Sequence, residues 1–489
     1  MKTKKLTKSL FSLLMIFVLA SLFLPEFNNV SAQANSELRY SVLSDGVRIE
    51  GFKDEFFQGE SITIPSEIEG KKVTTINNKA FMGRKSLKKV VLPETITTIG
   101  SNAFNDCSEL KEINIPASVK TIGDFSFYMC KSLENFTVPN GIKEIKENTF
   151  AYCEMIKSIT LPEGLKTIKK NAFDFCTSLT EINIPSSVTL IDDQAFSNNQ
   201  SLESIVIPDS VNNIGEMVFK DCGKLKQVTL SNNIPALKRG LFKHCSSLEE
   251  LKIPDSVKVI ENGVFEGCSS IKTISFSKNV RTIANGCLAD CVKLEKIEVD
   301  INNDKFHSKD GVLFNSINKE LIYYPPAKAD KKYDIPDDVH GIDAYAFYNV
   351  KALTSIRIPK NVSYIARNAF EPAPGEILIA ADSPAIKYAK QYFTKYTVYD
   401  NRTGKTKNVN KNLFLYIFIS VVILLLAAYT VYKKVIVKKL KSKASVEKEK
   451  VSENTQEDET EKIAELEAET QQTVDSKQLT EQKTEKVSE

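Results

Sequence analysis

Cysteine is the residue whose spacing most suggests chemistry. Eight of the nine cysteines in the 489-residue chain fall on a 23-residue lattice: Cys107, Cys130, Cys153, Cys176, Cys222, Cys245, Cys268 and Cys291. Asn199 fills the missing place and Cys287 stands outside the series. Such thiols could form a disulfide framework, hold zinc, or pack as small apolar groups. No Cys-x-x-Cys pair occurs, which excludes a zinc ribbon. Side chains that recur at one structural position stack as a ladder. Neighbours about 5 Å apart could still pair by distance alone, but a column set among buried Phe and Leu positions favours reduced, inward-facing thiols.

Other chemistry is sparse. Asp300, Asn302 and Asp304 have the alternating spacing of a calcium loop, but Lys305 stands where that loop needs glycine and Gly311 where it needs a bidentate glutamate. A polar turn is the expectation there. The three histidines, His244, His307 and His340, lie in different sequence units. There is no Gly-x-Ser-x-Gly, no His-Glu-x-x-His and no glycine-rich phosphate loop. No catalytic, metal-ligating or cofactor-binding residue is assigned, and the chain is read as a non-enzyme.

The elements that would position any site come from an internal repeat. Phenylalanine recurs every 23 residues at Phe81, Phe104, Phe127, Phe150, Phe173, Phe196, Phe219, Phe242 and Phe265, Leu288 takes the tenth place, and the period resumes at Phe347 and Phe370. Proline keeps step 11 residues earlier, at Pro93, Pro116, Pro139, Pro162, Pro185, Pro208, Pro254, Pro336 and Pro359. The consensus is Leu-x-x-Ile-x-Ile-Pro-x-x-Val-x-x-Ile-x-x-x-Ala-Phe-x-x-Cys, illustrated by Leu110, Ile113, Ile115, Pro116, Val119 and Ile122. The Ile-x-Ile step has the period of a strand, and proline ends it. The later apolar positions return inward. One unit cannot close its own core, whereas stacked units bury a continuous one.

These units resemble the BspA-type (treponemal-class) leucine-rich repeat of microbial surface proteins, over about residues 37–398. The resemblance implies a β-rich leucine-rich-repeat solenoid with one short strand per 23-residue repeat and about 12 repeats. It divides the body into an N-terminal cap and start of repeats (33–80), repeats (81–298), an inserted hairpin (299–335), last repeats (336–370) and a C-terminal cap (371–400) that includes a short helix at Ala385–Tyr392.

Charge and hydropathy set the expected topology. Residues 1–32 read as a secretory signal: a basic start, an apolar run over 10–24, and small residues at Val30-Ser31-Ala32. An uncleaved N-terminal anchor is the alternative. A linker (401–412) leads to Leu413–Tyr432, 20 residues without charge that suffice for a transmembrane helix. Lys433, Lys434, Lys438, Lys439, Lys441 and Lys443 follow, placing that side in the cytoplasm. The remainder of 433–489 is an acidic, disordered tail with a possible cytoplasmic partner. The body between the termini is nearly neutral within a net charge of +3, so nucleic acid is excluded as a partner.

What remains is surface. Residues flanking the first inward Ile of each strand point outward, and they are mostly small and polar with few charges. Asn114, Asn135, Thr137, Thr160, Asn183 and Thr229 are the candidate ligand face, offering hydrogen bonds to an extracellular protein or glycan. A merely soluble strand face would look similar. By family resemblance the outcome is adhesion to host matrix or cell-surface proteins or to other microbes. A single-pass receptor relaying ligand binding through its tail is the alternative. Asn135, Asn199, Asn361 and Asn401 open Asn-x-Ser/Thr sequons.

Overall fold

The computed structural model describes residues 37–55, 57–371, 375–393, 395–400, 402–410, 418–439 and 441. The signal segment, the first residues of the expected membrane span and the acidic tail lie outside the described residues. The chain divides into a unit ending at Val409 and a second beginning at Asn410.

The first unit is a β-solenoid. Most turns open with the expected strand, as at Asn135–Thr137 and Ser158–Thr160, which pair in parallel with Thr137 opposite Thr160; at residues 181–183 and 250–252 the chain keeps the same place without forming it. The central Phe136 and Ile159 point into the core and their neighbours point out. Proline then closes the strand because it has no N–H to give the ladder. The return path holds a second, two-residue strand, such as Glu144–Ile145 on Thr167–Ile168. Beside the expected strand of each repeat, the Val-x-x-Ile step thus adds a second parallel column. The third side is laddered too, although no strand forms there. The Phe150 N–H donates to the Ala172 carbonyl of the next turn at 2.9 Å, and the Phe173 N–H to Ala195 at 2.9 Å. This side bends tightly, and Asn148 and Tyr152 take positive φ on either side of Phe150.

The nine landmark phenylalanines from Phe81 to Phe265 form one ring stack. Successive centroids are 5.2 to 6.1 Å apart and the planes lie within 15° of one another. Each ring is fully buried, and offset stacking adds to the area each removes from water. Phe52 closes the N-terminal end edge-on at 65°. The solenoid runs to about 15 turns, more than the repeat landmarks imply, because caps and insertion form turns without an Ala-Phe step.

The insertion is a septum. Phe306–Lys309, Val312–Asn315 and Glu320–Tyr323 form an antiparallel meander, and the last strand pairs in parallel with Gly341–Ile342. Strand alternation, interrupted by a bulge at Ile322, divides its side chains between two cores. Leu313, Ile322 and Tyr323 join the N-terminal core, while Val312, Phe314, Leu321 and Tyr324 join the C-terminal one. Beyond it, Tyr324 stacks on Phe347 and Phe347 on Phe370, and Phe393 closes the end edge-on at 77°. The helix Ala385–Tyr392 lies in this cap.

Two expected boundaries shift. The segment 401–412, expected as a linker, carries the strand Thr406–Asn410, the last in the cap sheet. Lys395–Tyr399 would otherwise be an open edge, and the lysine-bearing final strand covers it. In the second unit the apolar helix spans Phe418–Lys439 and so continues past Tyr432. Lysine favours helix, and its long stem keeps its charge in water beside an apolar stretch.

Candidate ligand-binding face

The outward strand positions form two rows, one on each side of the buried central residues. All six candidate residues are exposed on these rows, but their polar atoms differ in availability. The Asn114 side chain bonds twice to one backbone: its Oδ1 accepts the Leu92 N–H at 2.7 Å and its Nδ2 donates to the Leu92 carbonyl at 2.8 Å. It replaces a ladder rung at the end of the three-stranded sheet formed by Ser61–Thr63, Lys89–Val91 and Glu112–Ile113. Asn135 accepts the Ser158 hydroxyl at 2.7 Å. Thr137 and Thr160 stand side by side in register. Asn183 sits on a turn where the strand is not formed.

Thr229 is the one candidate that lines a groove of about 1050 Å³ on the solenoid. Its floor includes Thr229, Thr273 and Ser275, and charged residues, among them Lys226, Glu250, Lys252, Lys296 and Glu298, surround it. The expectation of a face with few charges fails at this end. The charges sit at the same outward positions that hold Ser, Thr and Asn elsewhere, so the repeat conceals them among interchangeable polar residues. Lys296 pairs with Glu298 at 2.6 Å. This contact and the Ser275 hydroxyl hold the Glu298 carboxyl below its ordinary range.

The remaining candidates for chemistry are occupied structurally. Every cysteine is buried and free. Each lattice thiol donates to the landmark carbonyl of the preceding turn, from Cys107 on Phe81 at 3.1 Å to Cys291 on Phe265 at 3.1 Å. Asn199 gives the same bond with Nδ2 to Phe173 at 2.9 Å, and the Tyr323 hydroxyl gives it to Leu288 at 2.7 Å. Burial pushes Cys107, Cys222 and Cys287 up to about 12, which leaves them unreactive as nucleophiles. Asp300 caps its own turn by accepting the Asn302 N–H at 2.8 Å, and Asp304 pairs with Arg281 at 3.1 Å. His244 pairs with Asp221 at 2.8 Å, His307 stacks on Phe314, and His340 is exposed. Of the sequon asparagines, Asn199 is buried, while Asn135 is open to solvent; Asn401 lies outside the described residues.

Parallel strands in a 23-residue register, a continuous apolar core and an exposed strand face define a leucine-rich-repeat solenoid. The chain belongs to the BspA type leucine rich repeat family, whose six-copy region matches residues 74–203, 189–318 and 315–422. It is similar to the crystal structure of a leucine rich cell surface protein from Faecalibacterium prausnitzii A2-165, with 26% identity, a TM-score of 0.50, and coverage of 70% of this chain and 93% of that one. A leucine-rich repeat protein from Bacteroides ovatus is 23% identical at a TM-score of 0.44, covering 74% of this chain and 98% of that one. The leucine rich repeat protein of T. pallidum is 30% identical at a TM-score of 0.27, covering 48% of this chain and 88% of that one. No curated protein matches the chain. The family is one of leucine-rich-repeat surface proteins, which suggests protein binding, and no catalytic family is indicated.

Proposed function

We propose that the chain is a single-pass surface protein whose strand face binds a macromolecular ligand, a protein or a glycan, with adhesion to host matrix, host cells or other microbes as the outcome. The observation that carries this reading is the groove of about 1050 Å³ on that face, lined by hydroxyls and by charges of both signs. Recognition there rests on hydrogen bonds and charge, the means by which a solenoid surface gains specificity over many turns. The apolar helix Phe418–Lys439 supports anchoring. The lysines that end it support a cytoplasmic C-terminal side and a solenoid displayed outside.

The test titrates the full chain in nanodiscs over immobilised matrix proteins, glycans and whole cells at physiological salt. One variant carries Thr229→Arg, and a second carries Thr137→Arg, Thr160→Arg and Asn183→Arg. Saturable binding lost only in the first variant places the ligand in the groove; loss only in the second places it on the N-terminal strands. Binding that both variants retain rejects the strand face. Removing residues 444–489 leaves adhesion unchanged if the tail has no part in it.

A further inference from the structure

The charges around the groove are ordered. The turn at Glu250–Lys252 presents its acid first and its base second, on either side of buried Leu251. Two turns on, Lys296–Glu298 presents base first and acid second, on either side of buried Ile297. Between them lies Thr273-Ile274-Ser275, with only hydroxyls facing out. The register sets Thr273 beside Lys296 and Ser275 beside Glu298, and all six outward residues line the same groove. With about 4.8 Å between turns, the two charged turns stand roughly 10 Å apart as rims over a hydroxyl floor.

We infer that this end of the strand face binds the same surface of a second copy of the chain, with the two solenoids antiparallel. This rests on the strand face being the binding surface, and it names the partner. A two-fold axis parallel to the strands, over Thr273–Ser275, sets the Glu250 turn of one copy against the Lys296 turn of the other. Glu250 then meets Lys296 and Lys252 meets Glu298, and symmetry repeats both pairs, so one interface holds four opposite-charge contacts. The two hydroxyl floors face each other across water. Glu250 and Lys252 have no ion-pair partner among the described residues, whereas Lys296 and Glu298 hold each other at 2.6 Å and would exchange partners.

The reversed order carries the orientation. A parallel pairing needs only opposite charges within each turn, in either order. The antiparallel pairing requires Glu-x-Lys on one turn to become Lys-x-Glu two turns later, and that is the sequence. Antiparallel solenoids leave their C-terminal ends at opposite ends of the pair, which suits contact between two opposed membranes. Exposed ion pairs are individually weak, so the contact gains strength from many copies on each surface.

The experiment uses full-length chain in phosphatidylcholine vesicles and follows their clustering by light scattering at low salt. Wild-type vesicles cluster, and added salt reverses it. Glu250→Lys with Lys252→Glu leaves net charge unchanged but sets like charges face to face, and slows clustering by about tenfold or more. Lys296→Glu with Glu298→Lys does the same. Mixing vesicles of the two variants restores clustering, and so does the chain carrying all four changes. These rescues also show that the variants fold. Wild-type vesicles that stay dispersed overturn the inference without touching the ligand titration above. So does clustering that survives a single-turn swap, which would mark a parallel contact. If the swaps abolish binding to matrix or glycan while neither mixture nor fourfold change restores clustering, the groove serves a foreign ligand instead.

Discussion

The turns from Phe81 to Leu288 and those from Tyr324 to Phe370 share an architecture but finish their buried edges differently. In the first array each landmark phenylalanine carbonyl is met by a short donor from the next turn, usually a thiol. In the second array the lattice cysteine is absent, and Val350 occupies the place after Phe347. Tyrosine hydroxyls cap carbonyls there, at places other than the landmark: Tyr388 on Ala366 at 2.9 Å and Tyr399 on Ile358 at 3.2 Å. A slot repeated by translation suits a small side chain with little rotamer freedom, because the same fit must recur at every turn. At a seam or cap the neighbouring backbone is farther away, and a longer donor must reach it.

The largest break in this comparison is a mid-stack truncation. Phe173 lies between Phe150 at 5.6 Å and Phe196 at 5.2 Å, with both sides filled. Phe173→Ala is expected to cost about 3–5 kcal/mol, read as a lower denaturant midpoint. Phe370→Ala should cost less, because Phe370 ends its stack and packs edge-on against Phe393. Equal losses would mean that the stack gains nothing from continuity.

Alkali should separate the arrays next. Burial raises the lattice thiols above their ordinary value of 9.0, to about 12 for Cys107 and Cys222. The folded state therefore holds protons that the unfolded chain releases. Their contribution to stability is complete below pH 9 and is lost as pH rises toward 12. Each ionising thiol shifts the balance toward unfolding by about 1.4 kcal/mol per pH unit. The second array has no cysteine, and its tyrosines ordinarily ionise near 10.0. Between pH 9 and 10, hydrogen exchange should accelerate in peptides from 81–291 before those from 341–399. Simultaneous acceleration would show that the septum makes the two arrays one cooperative unit.

That coupling has its own probe. Tyr323 is buried in the septum and donates to the Leu288 carbonyl at 2.7 Å. Tyr323→Phe keeps the ring and removes the bond, at a cost of about 1–2 kcal/mol. It should also widen the gap between the two arrays' exchange rates, and an unchanged gap would assign the coupling to packing alone.

The sequence made the repeat, the core and the inward thiols legible because each is a column, and a column shows itself by recurrence. What stayed hidden was whatever breaks recurrence or uses exposed positions. Tyr323 replaces a thiol from outside the lattice, and only contacts between turns reveal that it stands in for one; Asn199 could be placed by spacing, but not the bond it makes. Asn114 looks like a free surface amide yet closes the ladder at Leu92. The groove arises where outward Ser and Thr give way to Glu and Lys, a change that leaves the apolar pattern intact. Its shape depends on which turns stand beside the insertion.

Asn199 offers the finest test of the donor rule. Its Nδ2 reproduces the thiol's bond, but its Oδ1 is buried without a hydrogen-bond partner. An unsatisfied buried acceptor costs about 1–3 kcal/mol, and a cysteine keeps the donor without that oxygen. Asn199→Cys should therefore stabilise the chain by up to about 1 kcal/mol after the lost volume is counted, seen as a small rise in thermal midpoint under reducing conditions. Asn199→Ala removes donor and acceptor together and should fall below wild type. If alanine instead matched cysteine, the carbonyl of Phe173 would need no side-chain donor, and the thiol column would be packing alone.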